Sequence, residues 1–178
     1  VLGERSVPVD TGFIVYNEQN YPNLSALFRY LEVPTKLSEM SFSASIDGGE
    51  LEYAGTNING LLGQRSNIIK PRFWNMMLDI LRFYREAPAS LLDPEIAEMS
   101  LGQYLQHNNY RKTFVDDHIL PMGAAIWSTS PSEMKDYPAE AFIRFFDSHG
   151  LLKLKGRPNW RTVDGGSRVY VDRLIASF

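Results

Sequence analysis

The chain has 178 residues, 44% of them hydrophobic, and a formal net charge of −3 at pH 7. This apolar content can fill the core of one domain or of a large lobe, which argues against a disordered chain. Because Lys and Arg form no basic stripe, we expect no nucleic-acid partner. The absence of cysteine excludes disulfides, thiolate metal sites and cysteine nucleophiles, and it favours a cytoplasmic location.

The apolar runs and the two ends of the chain bear on membrane insertion and on whether the chain is a fragment. No apolar run approaches the roughly 20 residues of a membrane-spanning helix, so we expect no transmembrane segment. The chain begins without an initiator methionine or a signal peptide and ends inside a predicted helix. We therefore expect a fragment of a longer protein.

The N-terminal part of the chain predicts a strand, a turn and a helix. Residues 7–16 are rich in β-branched and aromatic side chains around Gly12, which is typical of a strand with a close backbone approach or a bulge at the glycine. A turn over residues 17–20 leads into a helix that begins at Pro22 and is stopped by Pro34.

The next segment predicts a β-hairpin with one buried face. Residues 41–46 alternate between apolar side chains and serines, and an Asp-Gly-Gly turn then leads into residues 50–54. Residues 55–63 contain three glycines and predict a loop or a broken helix.

The middle of the chain is predicted to be mostly helical. Pro71 begins the longest helix, which ends near Pro88. Its wide apolar stripe consists of Phe73, Met76, Met77, Ile80, Leu81 and Tyr84. Further predicted helices cover residues 100–106, 110–120 and 138–150, with a separate apolar segment over residues 121–127 and a polar break over residues 128–132.

The C-terminal segment, residues 160–174, predicts a short strand, a Gly165–Gly166 turn and a helix beginning at Ser167. A turn without side chains lets a flat ligand touch the backbone, and the first N–H groups of a helix attract an anion. The same pattern is also typical of an ordinary turn and N-cap. Taken together, the elements predict an α+β fold: a mostly helical lobe with a small antiparallel or mixed sheet.

No metal site or complete catalytic set is evident. His107, His118 and His149 are not spaced as ligands, so we expect no metal and place each histidine at the surface or at a helix cap. Asp116, Asp117 and His118 are expected on a solvated helix face, because adjacent helical residues diverge. The sequence also lacks GxSxG, GxxxxGK[ST] and GxGxxG motifs. The density of aromatic residues and Met beside glycine-rich turns favours a hydrophobic cavity for a flat or apolar ligand.

Short segments spread over the whole chain carry a family resemblance in their order and spacing. They are residues 9–13, 21–24, 40–42, 52–55, 73–74, 121–122, 124–128, 149–152 and 160–174. With these segments the chain resembles the flavin-containing amine oxidase superfamily, and most closely its bacterial predicted NAD/FAD-binding, amine-oxidase-like proteins.

The resemblance implies an architecture related to protoporphyrinogen oxidase and phytoene desaturase, in which a substrate domain is inserted between the parts of an FAD domain. Residues 1–178 would be a single substrate-binding fragment, and residues 160–178 would return toward the flavin domain of the same parent chain. The family's N-terminal glycine-rich motif and C-terminal FAD motif are missing from this sequence. We therefore expect the fragment alone to be inactive and to bind no FAD tightly.

The implied chemistry of the parent is hydride transfer from a C–N or C–C bond of a small hydrophobic or amine substrate to the flavin of FAD. The cofactor carries that reaction and the protein supplies position and dryness, so no catalytic residue is assigned. The candidate cofactor-binding residues are Gly12, Gly165, Gly166 and Ser167. The candidate substrate-cavity residues, chosen for their aromatic or Met character, are Tyr53, Trp74, Met77, Trp127 and Phe146.

Two other functions remain open. If the parent protein is an enzyme, the alternative to an amine oxidase is an FAD-dependent desaturase or isomerase acting on a lipid or polyene. The alternative of a different class is a non-enzymatic ligand-binding or dimerisation module. Because surface that faces a flavin domain would be left exposed, we also expect the fragment to self-associate.

Overall fold

A computed structural model describes residues 9, 10 and 15–177, and the chain divides into two units. The terminal unit combines Val1–Met40 with Arg157–Phe178, and the central unit is Ser41–Gly156. The predicted strand over residues 7–16 falls largely outside the described residues, whereas Tyr16 forms an antiparallel bridge with Arg161.

Helices outnumber strands, and the α+β class is confirmed. In chain order the helices and strands are α1 Pro22–Tyr30, β1 Thr35–Ser38, β2 Ser43–Ile46, β3 Leu51–Ala54, α2 Ile58–Leu61, α3 Pro71–Ser90, α4 Pro94–Ala97, α5 Leu101–His107, α6 Lys112–Phe114, α7 Leu120–Trp127, α8 Ala139–Ser148, β4 Trp160–Val163 and α9 Arg168–Ala176. In the described part of the chain, no helix combines the length and apolar content needed to cross a bilayer.

The terminal unit is built on an antiparallel pair formed by β1 and β4. Thr35 lies opposite Val163, and Ser38 lies opposite Trp160. The sequence pattern did not predict β1, whose hydrogen-bonding partner lies more than a hundred residues later in the chain. The small core of the terminal unit joins α1 to the β1–β4 pair and to α9. It contains the buried residues Tyr16, Phe28, Val33 and Val163 and the partly buried Val169 and Tyr170.

The central unit begins with the predicted hairpin, and β2 and β3 pair antiparallel from Ser43 opposite Ala54 to Ile46 opposite Leu51. Leu51 and Tyr53 are buried while Glu52 between them is exposed, so the prediction of one buried face is confirmed. Each strand contributes alternate side chains to that face because successive residues of a strand point to opposite sides.

The longest helix, α3, begins at Pro71 as predicted but continues two residues past Pro88, to Ser90. Its buried side chains are Phe73, Met76, Asp79, Ile80, Phe83 and Ala87. The predicted stripe was therefore partly wrong, because Leu81 is exposed and Phe83 takes its place in the core. An apolar stripe wider than one packing face leaves apolar residues on the solvent side.

The helix predicted over residues 110–120 does not end near Leu120, because the helical chain is continuous from Lys112 to Trp127. A π-helical turn, Val115–Ile119, joins α6 to α7. Proline has no N–H, so Pro121 cannot donate to the carbonyl of Asp117 four residues earlier. That carbonyl instead accepts a hydrogen bond from the Tyr53 hydroxyl at 2.7 Å.

An aromatic layer joins α7 to α8. The rings of Phe142 and Phe146 stack with centroids 4.2 Å apart, and the Trp127 ring stacks on Phe142 at 5.5 Å. Gly123 brings the α7 backbone against this layer: a Cβ there would lie 2.9 Å from Phe142 Cε2 and 3.1 Å from Met134 Cε. The predicted C-cap of α8 is confirmed, with His149 as the capping residue and Gly150 at φ +67.

We predict that Gly123→Val lowers the stability of the central unit by about 1 to 3 kcal/mol, because the added methyl groups must displace the Phe142 ring. The control is Ala125→Val on the exposed side of α7, which meets no such ring. Urea unfolding followed by circular dichroism gives both values. Equal effects of the two substitutions would contradict close packing at Gly123.

Candidate functional site

The turn between β4 and α9 requires glycine at two consecutive positions. Gly165 and Gly166 have φ values of +88 and +89, a region that side-chain-bearing residues rarely adopt. A Cβ on Gly165 would lie 3.0 Å from Val169 Cγ2, and one on Gly166 would lie 3.1 Å from Asp10 Oδ2. Both backbone conformation and close approach therefore exclude larger residues from this turn.

The carboxylate of Asp10 caps the N-terminus of α9. Both of its oxygens accept a hydrogen bond from the backbone N–H of Ser167, at 3.0 and 3.1 Å, across a separation of 157 residues. A helix N-terminus attracts negative charge because its first N–H groups lack partners in the helix. The anion expected at this helix start is thus supplied by the chain itself. Gly12, the fourth candidate cofactor residue, lies outside the described residues.

A second carboxylate stands beside the same turn. Lys36 Nζ donates to Asp164 Oδ1 at 2.8 Å, and this hydrogen bond from the ammonium lowers the pKa of Asp164. Lys36 offsets the charge of Asp164, whereas Asp10 already occupies the start of α9, where its charge repels a second anion such as a phosphate group. The turn is therefore suited to an uncharged hydrogen-bond donor or to a flat ring.

Asn17 leaves a buried donor in the terminal unit. Its Oδ1 accepts a hydrogen bond from the Asn20 N–H at 2.8 Å, while its Nδ2 has no partner within the described residues. An unpaired buried amide N–H is costly. This group would gain stability from an acceptor atom on a bound molecule or from a water molecule.

The five candidate cavity residues, all in the central unit, occupy different environments. Tyr53 and Phe146 are buried, Trp127 and Met77 are partly buried, and Trp74 is about half exposed, with its indole N–H donating to the Ile68 carbonyl. Among the described ring contacts, only Trp127 and Phe146 meet, with centroids 6.3 Å apart. Their role in a substrate cavity stays a prediction.

Tyr53 takes part in a buried polar network that the sequence did not predict. Its hydroxyl lies 2.9 Å from His118 Nδ1, and both Asp117 and His118 are buried, so their predicted place on a solvated face was wrong. His118 follows Phe114 by one helical turn and thus lies on its buried side. The i, i+4 spacing of Phe114 and His118 was the feature of the sequence that could have predicted the burial of His118. His107, in contrast, is exposed as expected.

The hydrogen bonds of Tyr53 determine which nitrogen of His118 carries the proton. The Asp117 carbonyl can only accept, so the Tyr53 O–H donates to it, and we assign the remaining proton to His118 Nδ1–H, donating to Tyr53 Oη. His118 Nε2 is then a bare acceptor with no partner in the described part of the chain. Burial lowers the pKa of His118 to about 4, so the ring is neutral at pH 7.

The carboxylate of Asp117 is neutralised by Arg72. Arg72 donates from Nε at 2.6 Å and from Nη2 at 2.7 Å to the two Asp117 oxygens, and from Nη1 at 2.7 Å to Asp47. The hydrogen bond to Asp117 is the largest cause of the raised pKa of Arg72. An open depression of about 420 Å³ borders this pair, and its other charged residues, Lys112 and Asp116, also pair with each other.

The ion pairs around this network limit the chemistry that its charged side chains can perform. Most residues that line the depression are charged, and its three carboxylates and two cations pair with one another, so it differs from the apolar cavity that the sequence predicted. Across residues 9–10 and 15–177, no three His, Asp or Glu side chains converge as metal ligands. The network therefore fixes the π-helical turn against β3, and the glycine turn is the stronger candidate site.

No family model matches the chain, and no curated protein matches it. The resemblance to flavin-containing amine oxidases accordingly stays a prediction from the sequence.

We predict that Asp10→Ala destabilises α9 by about 1 kcal/mol, because the N–H of Ser167, the residue just before the helix, loses its acceptor. Hydrogen exchange of the α9 amides measures the loss. The control is Asp172→Ala, which removes an exposed carboxylate of the same helix. Gly166→Ala should cost less in the Asp10→Ala background, and strictly additive effects would contradict the close contact between the two residues.

We predict that the stability of the central unit rises between pH 4 and 6.5 because of His118. Its folded pKa of about 4 lies below the ordinary 6.5, so the unfolded chain binds more protons in this window. The contribution is complete above pH 6.5 and decreases as the pH falls, by roughly 3 kcal/mol in total. Urea unfolding as a function of pH should show a shallower slope for His118→Gln and an unchanged slope for His107→Gln. Parallel slopes for wild type and His118→Gln would contradict the assignment.

Proposed function

We propose that this chain supplies the substrate-binding portion of an FAD-dependent oxidoreductase of the amine oxidase type, acting in the cytoplasm on a small hydrophobic or amine substrate. The observation that carries the proposal is the contact between Asp10 and the Ser167 N–H. It joins the first and last segments of the family resemblance, so that they form one turn-and-cap site within the terminal unit.

The division of the chain supports the same proposal. The central unit, Ser41–Gly156, is inserted between the two parts of the terminal unit. The resemblance implies a larger insertion of the same kind, in which residues 1–178 as a whole lie between the parts of an FAD domain. The terminal unit resumes at Arg157, three residues before the segment expected to return toward the flavin domain.

The residues of the glycine turn fit part of an FAD molecule better than the whole. Gly165 and Gly166 leave the turn without side chains, which suits the flat isoalloxazine ring. Asp10 and Asp164 can accept hydrogen bonds from the hydroxyl groups of the ribityl chain or from a ring N–H, whereas the charge of Asp10 at the start of α9 disfavours the pyrophosphate. In this proposal the phosphates are bound by the flavin domain of the parent, and Gly12, Gly165, Gly166 and Ser167 meet the neutral part of the cofactor.

The chemistry of the proposal is divided between cofactor and protein. When bound, FAD accepts a hydride from a C–N or C–C bond of the substrate. The chain contributes position, through the turn at Gly165–Gly166, whose two glycines leave the backbone open to close approach. No proton-transferring residue is required of the glycine turn.

We predict that Gly166→Val in the complete protein reduces flavin occupancy more than it reduces stability. Flavin absorbance per polypeptide and the thermal midpoint are measured on the same samples. The control is Gly156→Val, at a glycine with φ +69 and open space around it, which reproduces the backbone strain away from the turn. Unchanged flavin occupancy in Gly166→Val would contradict the role of the turn.

The proposal as a whole depends on the flavin content of the complete protein. A complete protein purified without flavin, and unable to take it up, would overturn the FAD assignment. Ligand binding to this chain without any flavin would instead favour the non-enzymatic binding module.

A further inference from the structure

Two turns of the chain have the sequence Asp-Gly-Gly, one at residues 47–49 and the other at residues 164–166. All four glycines have positive φ values, so both turns are tight. An aspartate followed by glycine is also chemically reactive, because the glycine nitrogen can attack the aspartate carboxyl without obstruction by a Cβ. The two turns differ in the groups that hold the aspartate.

The carboxylate of Asp47 is held by a fixed partner. Arg72 Nη1 donates to Asp47 Oδ2 at 2.7 Å, and the same guanidinium donates twice to the buried carboxylate of Asp117. The donors of a guanidinium have fixed directions in one plane. The ion pair therefore restrains the Asp47 carboxylate against rotation toward its own backbone.

The carboxylate of Asp164 has a more mobile partner. It pairs with Lys36, and the two side chains are 58% and 60% exposed. Such a pair is weak, because water competes for both groups and the Lys side chain is flexible.

The attacking nitrogen lies beside this carboxylate. The pKa of Asp164 is lowered mainly by Lys36, and the Gly165 N–H adds to the effect by donating to the same carboxylate. In the described chain this N–H donates to no backbone carbonyl. At Asn59–Gly60, in contrast, the glycine N–H donates to Asn57 Oδ1 at 2.9 Å, which engages the nucleophile.

We propose that the Asp164–Gly165 bond is a site of spontaneous isoaspartate formation, and that the fold makes it more reactive than the Asp47–Gly48 bond. The Gly165 nitrogen bonds to Asp164 Cγ and loses its proton, and a carboxyl oxygen leaves as water. This closes a five-membered succinimide. Water then opens the ring: attack at Cγ restores aspartate, whereas attack at the main-chain carbonyl carbon gives isoaspartate with a free α-carboxylate. One water is released and one is taken up.

Lys36 slows the reaction. The carboxyl oxygen leaves as water only from the protonated acid, and the hydrogen bond from the Lys36 ammonium lowers the pKa of Asp164. Fewer protonated carboxyl groups are then present at neutral pH. We expect Lys36→Met to speed isoaspartate formation about twofold to fivefold, the range that the loss of an exposed ion pair allows.

The test is incubation of the complete folded protein in water enriched in heavy oxygen, followed by trypsin digestion and mass spectrometry. Trypsin releases Asp164 in the peptide of residues 162–168 and Asp47 in that of residues 37–65. Each passage through the succinimide adds one heavy oxygen atom, which fragmentation assigns to a residue. We expect Asp164 to take up label at least about threefold faster than Asp47. An isoaspartyl methyltransferase, which methylates the freed α-carboxylate, counts the isoaspartate.

Two controls separate the fold from the sequence. In concentrated urea both aspartates lose their ion pairs, so the two Asp–Gly bonds should react at similar rates. Asp164→Glu keeps the charge but cannot close the five-membered ring, so it should remove the label from residues 162–168.

Three results would overturn the proposal. They are a folded protein in which Asp47 is labelled as fast as Asp164, a ratio of the two rates that unfolding leaves unchanged, and a Lys36→Met variant that reacts no faster than the wild type. The readout is a covalent change that needs only this chain and water. Its outcome is therefore independent of the flavin assignment.

Discussion

The glycine turn of the terminal unit is organised around one carboxylate, that of Asp10, which lies at the start of α9. Asp10 accepts the backbone N–H of Ser167, and the two glycines before it give the chain room to approach. The positive end of α9 makes the contact favourable, and the left-handed φ values of Gly165 and Gly166 make it sterically feasible. A larger residue at Gly166 would meet the carboxylate itself. The two glycines are therefore explained by the backbone and by Asp10, without any ligand. A ligand at this turn must fit around the Asp10 carboxylate. This is why the proposal assigns the neutral part of FAD to the turn and leaves the phosphates to the flavin domain.

In the central unit, a residue distant in the sequence likewise supplies a hydrogen bond that the local backbone cannot make. Pro121 cannot donate to the Asp117 carbonyl, and Tyr53 from the hairpin donates to it instead. Tyr53 in turn receives the His118 Nδ1–H, and Arg72 pairs with the Asp117 carboxylate. The π-helical turn thus exchanges regular helical hydrogen bonds for contacts to β3 and α3. Such turns often occur at functional sites, but here every charge around the turn is paired. Its clear consequence is a neutral, buried imidazole that makes stability depend on pH.

Local patterns predicted the elements well wherever neighbouring residues determine them. The hairpin at residues 43–54, the start of α3 at Pro71 and the cap of α8 at Gly150 follow from alternation, proline and glycine. Elements that depend on distant partners were missed: β1 pairs only with β4, and the burial of Asp117 requires Arg72 and Tyr53. The candidate site was found because two successive glycines are a strong local signal. The role of Asp10 was not predictable from spacing, since 157 residues separate it from Ser167.

The central claim is that a flavin meets the turn at Gly165–Gly166 in the complete protein. The most direct measurement is an experimental structure of that protein with its bound flavin. The account predicts flavin atoms in van der Waals contact with the backbone of Gly165 and Gly166. It also predicts a ribityl hydroxyl or ring N–H within hydrogen-bonding distance of Asp10 or Asp164, with the pyrophosphate held elsewhere. A flavin bound away from this turn, or a phosphate group seated on the N-terminus of α9 in place of Asp10, would contradict it.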